Sequence, residues 1–186
     1  MTDTSLKSGK RDPLFNIILV GLPGVGKTTI GRAAAKLLNR PFIDFDTEIE
    51  HREHATIAEI FARRGEGYFR TLEESLTREL ARTRGTVMST GGGWVSNPIC
   101  TELLRPNGRM IYLRAAPSTV LARMAGGRSR RPLFEGADGI TKMMLLYEAR
   151  RPFYEAADVT IDTEVIVKAE VIAKVRDYAL SLNEND

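Results

Sequence analysis

Apolar and polar residues change period several times along this chain, and the changes lay out five short strands separated by helices. The run Phe15-Asn16-Ile17-Ile18-Leu19-Val20 reads as a buried strand, and 30–38 continues as a helix until Pro41 forces a break. Phe42-Ile43-Asp44 predicts a second strand, Thr86-Val87-Met88-Ser89-Thr90 a third, Arg109-Met110-Ile111-Tyr112-Leu113 a fourth and Val159-Thr160-Ile161 a fifth. Between the second and third lie a short helix over 47–52 and a helical insert. The insert has one helix opened by the capping box Thr56-Ile57-Ala58-Glu59 and ending near Gly65. A second opens at Gly67-Tyr68-Phe69-Arg70 and carries Leu72, Leu76 and Leu80, with the charges of Glu73, Glu74, Arg78 and Glu79 mostly on other faces. Later, 117–124 predicts a helix burying Val120, Leu121 and Met124, and 140–149 one that packs with Met143, Met144, Leu146 and Tyr147. Val167, Val171, Val175, Tyr178 and Leu182 make a core-facing stripe on the last helix. Strands alternating with helices imply a parallel sheet covered on both faces, with the ligand at its carboxyl ends.

Composition narrows the class without deciding the function. The 186 residues, 42% apolar and 27% charged, suit one globular domain over 14–186, preceded by a solvated tail at 1–13 that has lysines but no apolar core of a leader. The single Cys100 cannot form an intrachain disulfide, so the expected compartment is the reducing cytoplasm and the expected role a small buried hydrophobe. No apolar run approaches the ~20 residues of a membrane helix. A net charge of +3 fits a nucleic-acid binder and an enzyme for small anions equally.

The chemistry begins at Gly21-Leu22-Pro23-Gly24-Val25-Gly26-Lys27-Thr28-Thr29, which matches G-x-x-x-x-G-K-[ST] between a strand and a helix, as that motif requires. Glycines let backbone N–H groups close around phosphate oxygens, and the helix that follows adds the positive end of its dipole. Lys27 would reach the β- and γ-phosphates, and the Thr28 hydroxyl would take one position on Mg²⁺.

Other strand ends add to this. Asp44 and Asp46 are one residue apart, so a continuing strand would point both at the carboxyl edge, although Asp46 could instead cap the helix that follows. The third strand runs into Gly91-Gly92-Gly93-Trp94, a bare backbone that something approaches closely. Arg70 stands at a helix start, where an arginine is ordinarily a surface residue. Residues 125–134, with Arg128, Arg130 and Arg131 between glycines and a proline, predict a mobile cationic lid over the phosphates. Together these describe phosphoryl transfer onto a small acidic molecule, since arginines beyond the nucleotide's needs suit an anionic acceptor. Asp46 would orient the acceptor hydroxyl, as a base or as a positioning group. A regulatory GTPase is disfavoured because no N-K-x-D segment exists, and a nucleic-acid module would rest on the Arg128 to Arg131 cluster alone.

The chain resembles the shikimate kinases from about Asn16 to the final helix. The resemblance is carried by GLPGVGKTT, IDFDTEIE at 43–50, EGYFRTLEE at 66–74 with STGGG at 89–93, and RRPLF at 130–134 with ARRPFY at 149–154. It implies an α/β, three-layer P-loop NTPase fold with a five-stranded parallel sheet, a helical substrate-binding insert at about 44–73 and a lid at about 125–138. It further implies ATP, Mg²⁺ and transfer of the γ-phosphoryl to the 3-hydroxyl of shikimate, a step toward chorismate and the aromatic amino acids. By the same resemblance Asp46, Lys27 and Arg131 are catalytic, and Gly24, Val25, Gly26, Lys27, Thr28, Thr29, Arg123 and Arg131 bind ATP. Asp46, Arg70, Gly91, Gly92, Gly93 and Arg150 bind shikimate, while Thr28 holds the metal and Asp44 touches it through water. One departure stands out, because 162–165 lacks the arginine that relatives often carry near adenine. A monomer is expected, and a kinase for another small hydroxy acid such as gluconate is the alternative.

Overall fold

A computed structural model describes residues 14–125 and 138–182 of the chain. Five strands form one fully parallel sheet in the order β2-β3-β1-β4-β5: β1 (Asn16–Val20), β2 (Phe42–Asp44), β3 (Val87–Ser89), β4 (Gly108–Arg114) and β5 (Val159–Asp162). The chain leaves β1 toward β2 and β3 on one side and later crosses to β4 on the other. The loops after β1 and β3 therefore flank the crevice where such sheets bind ligands. Register sharpens the point: Ser89 is level with Leu19 on one neighbour and Asp44 on the other, so three strand ends finish side by side.

β1 is buried at every position, which is why its sequence is nearly continuous in apolar residues. Its one polar member, Asn16, is satisfied by donating to the Thr83 carbonyl and accepting from the Thr86 N–H, both at 2.9 Å, and so pins the entry to β3. α1 (Lys27–Leu38) packs Ile30, Ala34 and Ala35 inward, and Asn39 in the left-handed region caps its end before Pro41.

Several expectations change. α2 (Phe45–Glu53) begins two residues earlier than predicted, because Asp44 rather than Asp46 caps it, accepting from the Thr47 N–H at 3.1 Å. The strand period therefore stops at Asp44, and Asp46 lies in the first helical turn. The insert helices run together as α3 (Ile57–Leu80), kinked at Gly65, with the Thr56–Glu59 capping box formed as expected. Glu73, expected off the apolar stripe, is buried within it.

Past the third strand, a 3₁₀ turn (Trp94–Ser96) and α4 (Pro98–Leu104) occupy a stretch where no element was expected. Trp94 is core, its indole N–H donating to Thr77 Oγ1 at 2.9 Å. Cys100 is buried nearby, and burial pushes its thiol up to about 11, as suits an inert packing residue. α5 (Pro117–Ala125) buries Val120 and Met124 as predicted. α6 (Gly139–Glu155) runs six residues beyond the predicted end and carries Pro152 inside it, because Tyr154 is fully buried and holds the last turn against the sheet. On that helix Met143 is core while Met144 faces solvent. On α7 (Lys168–Ser181), Val171 and Val175 are core, whereas Val167 is the exposed residue just before the first turn. Among the described residues no helix is long and apolar enough to cross a membrane.

Candidate active site

The loop after β1 curls around its own backbone, with Gly24 and Gly26 at φ 85° and 108°, a region side chains rarely adopt. Gly26 leads straight into α1, so the N–H groups of Lys27, Thr28 and Thr29 open the helix toward the crevice. Val25 is buried beneath the loop. Lys27 folds back over the loop, Nζ donating to the Gly21 carbonyl at 2.8 Å and the Leu22 carbonyl at 3.0 Å. A cation sits where a polyphosphate would thread the loop.

Beside it, Thr28 Oγ1 donates to Asp44 Oδ2 at 2.6 Å and lies 3.5 Å from Ser89 Oγ. Two hydroxyls and a carboxylate from α1, β2 and β3 thus converge at one corner, a set of hard oxygen donors suited to Mg²⁺. Ser89 is a member that sequence reasoning passed over, and the strand register is what brings it in.

The three glycines after β3 each lack a side chain for a different neighbour. A methyl group on Gly91 would stand 2.6 Å from Glu73 Oε1 and 3.2 Å from Asp46 Oδ1, which puts both carboxylates on that residue. On Gly92 it would stand 2.8 Å from the Pro23 ring of the phosphate loop. On Gly93 it would stand 2.6 Å from Arg70 Nη2 and 3.0 Å from Arg150 Nη2, so two guanidinium groups from α3 and α6 meet over this backbone. The run is bare because acids, a proline and arginines crowd it in turn.

Arg70 and Arg150 line a cavity of about 400 Å³ together with Glu66, Gly93, Ser96, Asn97 and Pro98. Asp46 is outside that lining and stands two residues along, on the Gly91 side. Arg70 is oriented by Glu66 and Glu73, each at 2.5 Å. Burial pushes the Glu73 carboxyl above its ordinary value, against the pull of the Arg70 guanidinium, and the Asp46 charge adds to the push. Glu73 is the principal residue that sequence reasoning missed. Its spacing of three from Arg70 was the available signal.

Arg123 turns to the segment after β5, donating to Thr163 Oγ1 at 2.9 Å and the Thr163 carbonyl at 2.6 Å. The arginine missing from 162–165 is therefore matched by one that reaches the same segment from α5. Arg128, Arg130 and Arg131, and with them the expected lid, lie outside the described residues.

Comparison with known proteins agrees with this geometry. The family model described as shikimate kinase matches residues 23–179. The chain belongs to the shikimate kinase family. The shikimate kinase of Burkholderia thailandensis is 45% identical over 154 residues, covering 82% of this chain and 83% of that one. That of Thiobacillus denitrificans is 46% identical over 155 residues, covering 83% and 82%. A solved structure of the Acinetobacter baumannii shikimate kinase in complex with shikimate superposes with a TM-score of 0.82 at 38% identity, covering 91% of this chain and 94% of that one. A gluconokinase from Sinorhizobium meliloti reaches a TM-score of 0.60 at 18% identity, a likeness of fold alone. Membership in the shikimate kinase family makes the protein a small-molecule kinase with the expected α/β phosphate-loop architecture, and the gluconate alternative is not favoured.

Proposed function

We propose that the protein transfers the γ-phosphoryl group of ATP to the 3-hydroxyl of shikimate, with Arg70 and Arg150 holding the acceptor's carboxylate. The observation that carries this reading is the meeting of the two guanidinium groups over Gly93, in a cavity next to the phosphate loop. Planar forks grip carboxylates bidentately, which favours an acid over a neutral sugar as the acceptor. Gly91, Gly92 and Gly93 let the ring lie against backbone, and Asp46 beside Gly91 receives the acceptor hydroxyl. As the phosphoryl group passes to that oxygen, Asp46 takes the departing proton and ADP leaves.

On the nucleotide side, Gly24, Val25, Gly26, Lys27, Thr28 and Thr29 cradle the phosphates. The Thr28 and Ser89 hydroxyls with the Asp44 carboxylate would hold Mg²⁺, Asp44 through water, which neutralises charge on the β- and γ-oxygens when bound. Among the described residues no cluster of three His, Cys, Asp or Glu could hold a metal, so the ion would depend on these hydroxyls and the nucleotide. Arg123 flanks the adenine, and Arg131 stabilises charge on the phosphates in flight. The insert at about 44–73 supplies the acceptor side, and the lid at about 125–138 closes over the nucleotide. The protein acts as a monomer in this reading, and the buried unpaired Cys100 supports a cytoplasmic setting.

ADP release measured in parallel with shikimate, gluconate and a nucleoside monophosphate tests the reading. Saturable turnover with shikimate alone is expected, and equal or faster turnover of another acceptor would refute it.

A further inference from the structure

Tyr154 has no part in the chemistry above, yet it is a fully buried residue with a polar tip beside the acceptor site. It follows Arg150 by four residues on α6, so both project from one helical face. Its ring stacks on Tyr112 of β4, with centroids 5.2 Å apart and planes 15° from parallel. Its hydroxyl donates to the Gly92 carbonyl at 2.7 Å. Burial pushes the phenol up to about 12 against the pull of the nearby Arg150 guanidinium, so the proton is present at neutral pH.

The glycine run needs such an anchor. The Gly91 carbonyl is held by the Trp94 N–H and the Gly93 carbonyl by the Ser96 N–H, both within the local turn. Among the described residues, the Gly92 carbonyl bonds only to Tyr154. A peptide flanked by glycines meets few steric limits on its rotation, so a fixed donor is what selects one orientation.

We propose that Tyr154 is a positioning residue of the acceptor site: its hydroxyl fixes the Gly92 peptide, and with it the Gly91 surface that meets Asp46 and the Gly93 surface beneath Arg70 and Arg150. The inference rests on the reading of these residues as the shikimate site. Because Arg150 Nη2 lies over Gly93, the next residue along, one hydroxyl sets the backbone both beneath the ring and beneath the carboxylate clamp.

Steady-state kinetics of Tyr154→Phe, which keeps the stacked ring, is the test. The expected result is a rise in shikimate KM of about tenfold with ATP KM changed by less than about twofold, the effect of one lost buried hydrogen bond. A structural role alone would reduce the folded fraction and hence apparent kcat, leaving both KM values in place; that outcome, or an equal shift of both KM values, overturns the proposal. Should the variant fail to fold, the Gly92 carbonyl ¹³C resonance of the wild-type protein decides: it moves when shikimate is added if the peptide is part of the site, and stays still if it is not. Absence of shikimate turnover by the wild-type protein would instead remove the functional reading, and this inference with it.

Discussion

The Arg70 guanidinium donates to Glu73 Oε2 at 2.5 Å, while Glu73 Oε1, buried and without a hydrogen-bond partner among the described residues, faces Gly91. Glu73 is only 1% exposed. A carboxylate in that position costs stability when ionised and is tolerated because it aims the arginine. The same side chain is therefore a liability to the fold and an asset to the site.

Glu73→Gln separates the two. Because the folded-state pKa is raised, the carboxyl's contribution to stability is fully present below its unfolded value of about 4.3 and is lost as pH rises through the folded value. The melting temperature of Glu73→Gln relative to wild type should accordingly climb from about pH 4.3 toward neutrality. Shikimate KM should rise about tenfold as Arg70 loses one of its two charged partners, the buried one. Thermal melts across pH and initial rates check both halves, and a relative melting temperature that falls as pH rises from about 4.3 would contradict the sign.

Asp44 has two jobs, capping α2 through Oδ1 and facing Thr28 through Oδ2. Asparagine is as good a cap as aspartate, whereas alanine is not. Asp44→Asn should keep the melting temperature and raise the Mg²⁺ concentration for half-maximal rate, while Asp44→Ala should do the latter and also lose about 1 kcal/mol of stability. Denaturation midpoints and metal titrations of both variants distinguish the roles; equal destabilisation would mean that the cap is not the stabilising element.

Gly92 and Gly93 should fail differently on gaining a methyl group. In Gly93→Ala the new carbon presses on Arg70 and Arg150, so shikimate KM rises; in Gly92→Ala it presses on Pro23, so ATP KM rises. Separate saturation curves for the two substrates read this, and identical profiles for the two variants would show that the run acts as one unit.

Much of this site was legible because its parts are local. The phosphate loop depends on glycine backbone angles and a following helix, both written in adjacent residues, and the bare run 91–93 signals close approach wherever it folds. What escaped depends on distant partners. Glu73 reads as a surface charge until Arg70 and Gly91 close on it, and Ser89 gains meaning only from its register with Asp44. Pro152 argues for a helix end, but the anchoring of Tyr154 under the sheet carries the helix past it. Asn97-Pro98, a cap followed by a first-turn proline, did announce α4 and was passed over.

The central claim is that Arg70 and Arg150 recognise a carboxylate. It is tested most directly by comparing kcat/KM for shikimate and its methyl ester in the wild-type protein and in Arg70→Ala. Wild type should favour the acid by about 10²-fold, and the preference should shrink to about tenfold or less in the variant, since removing one of two forks removes its share of the discrimination. A preference for the acid that survives Arg70→Ala undiminished would contradict the account.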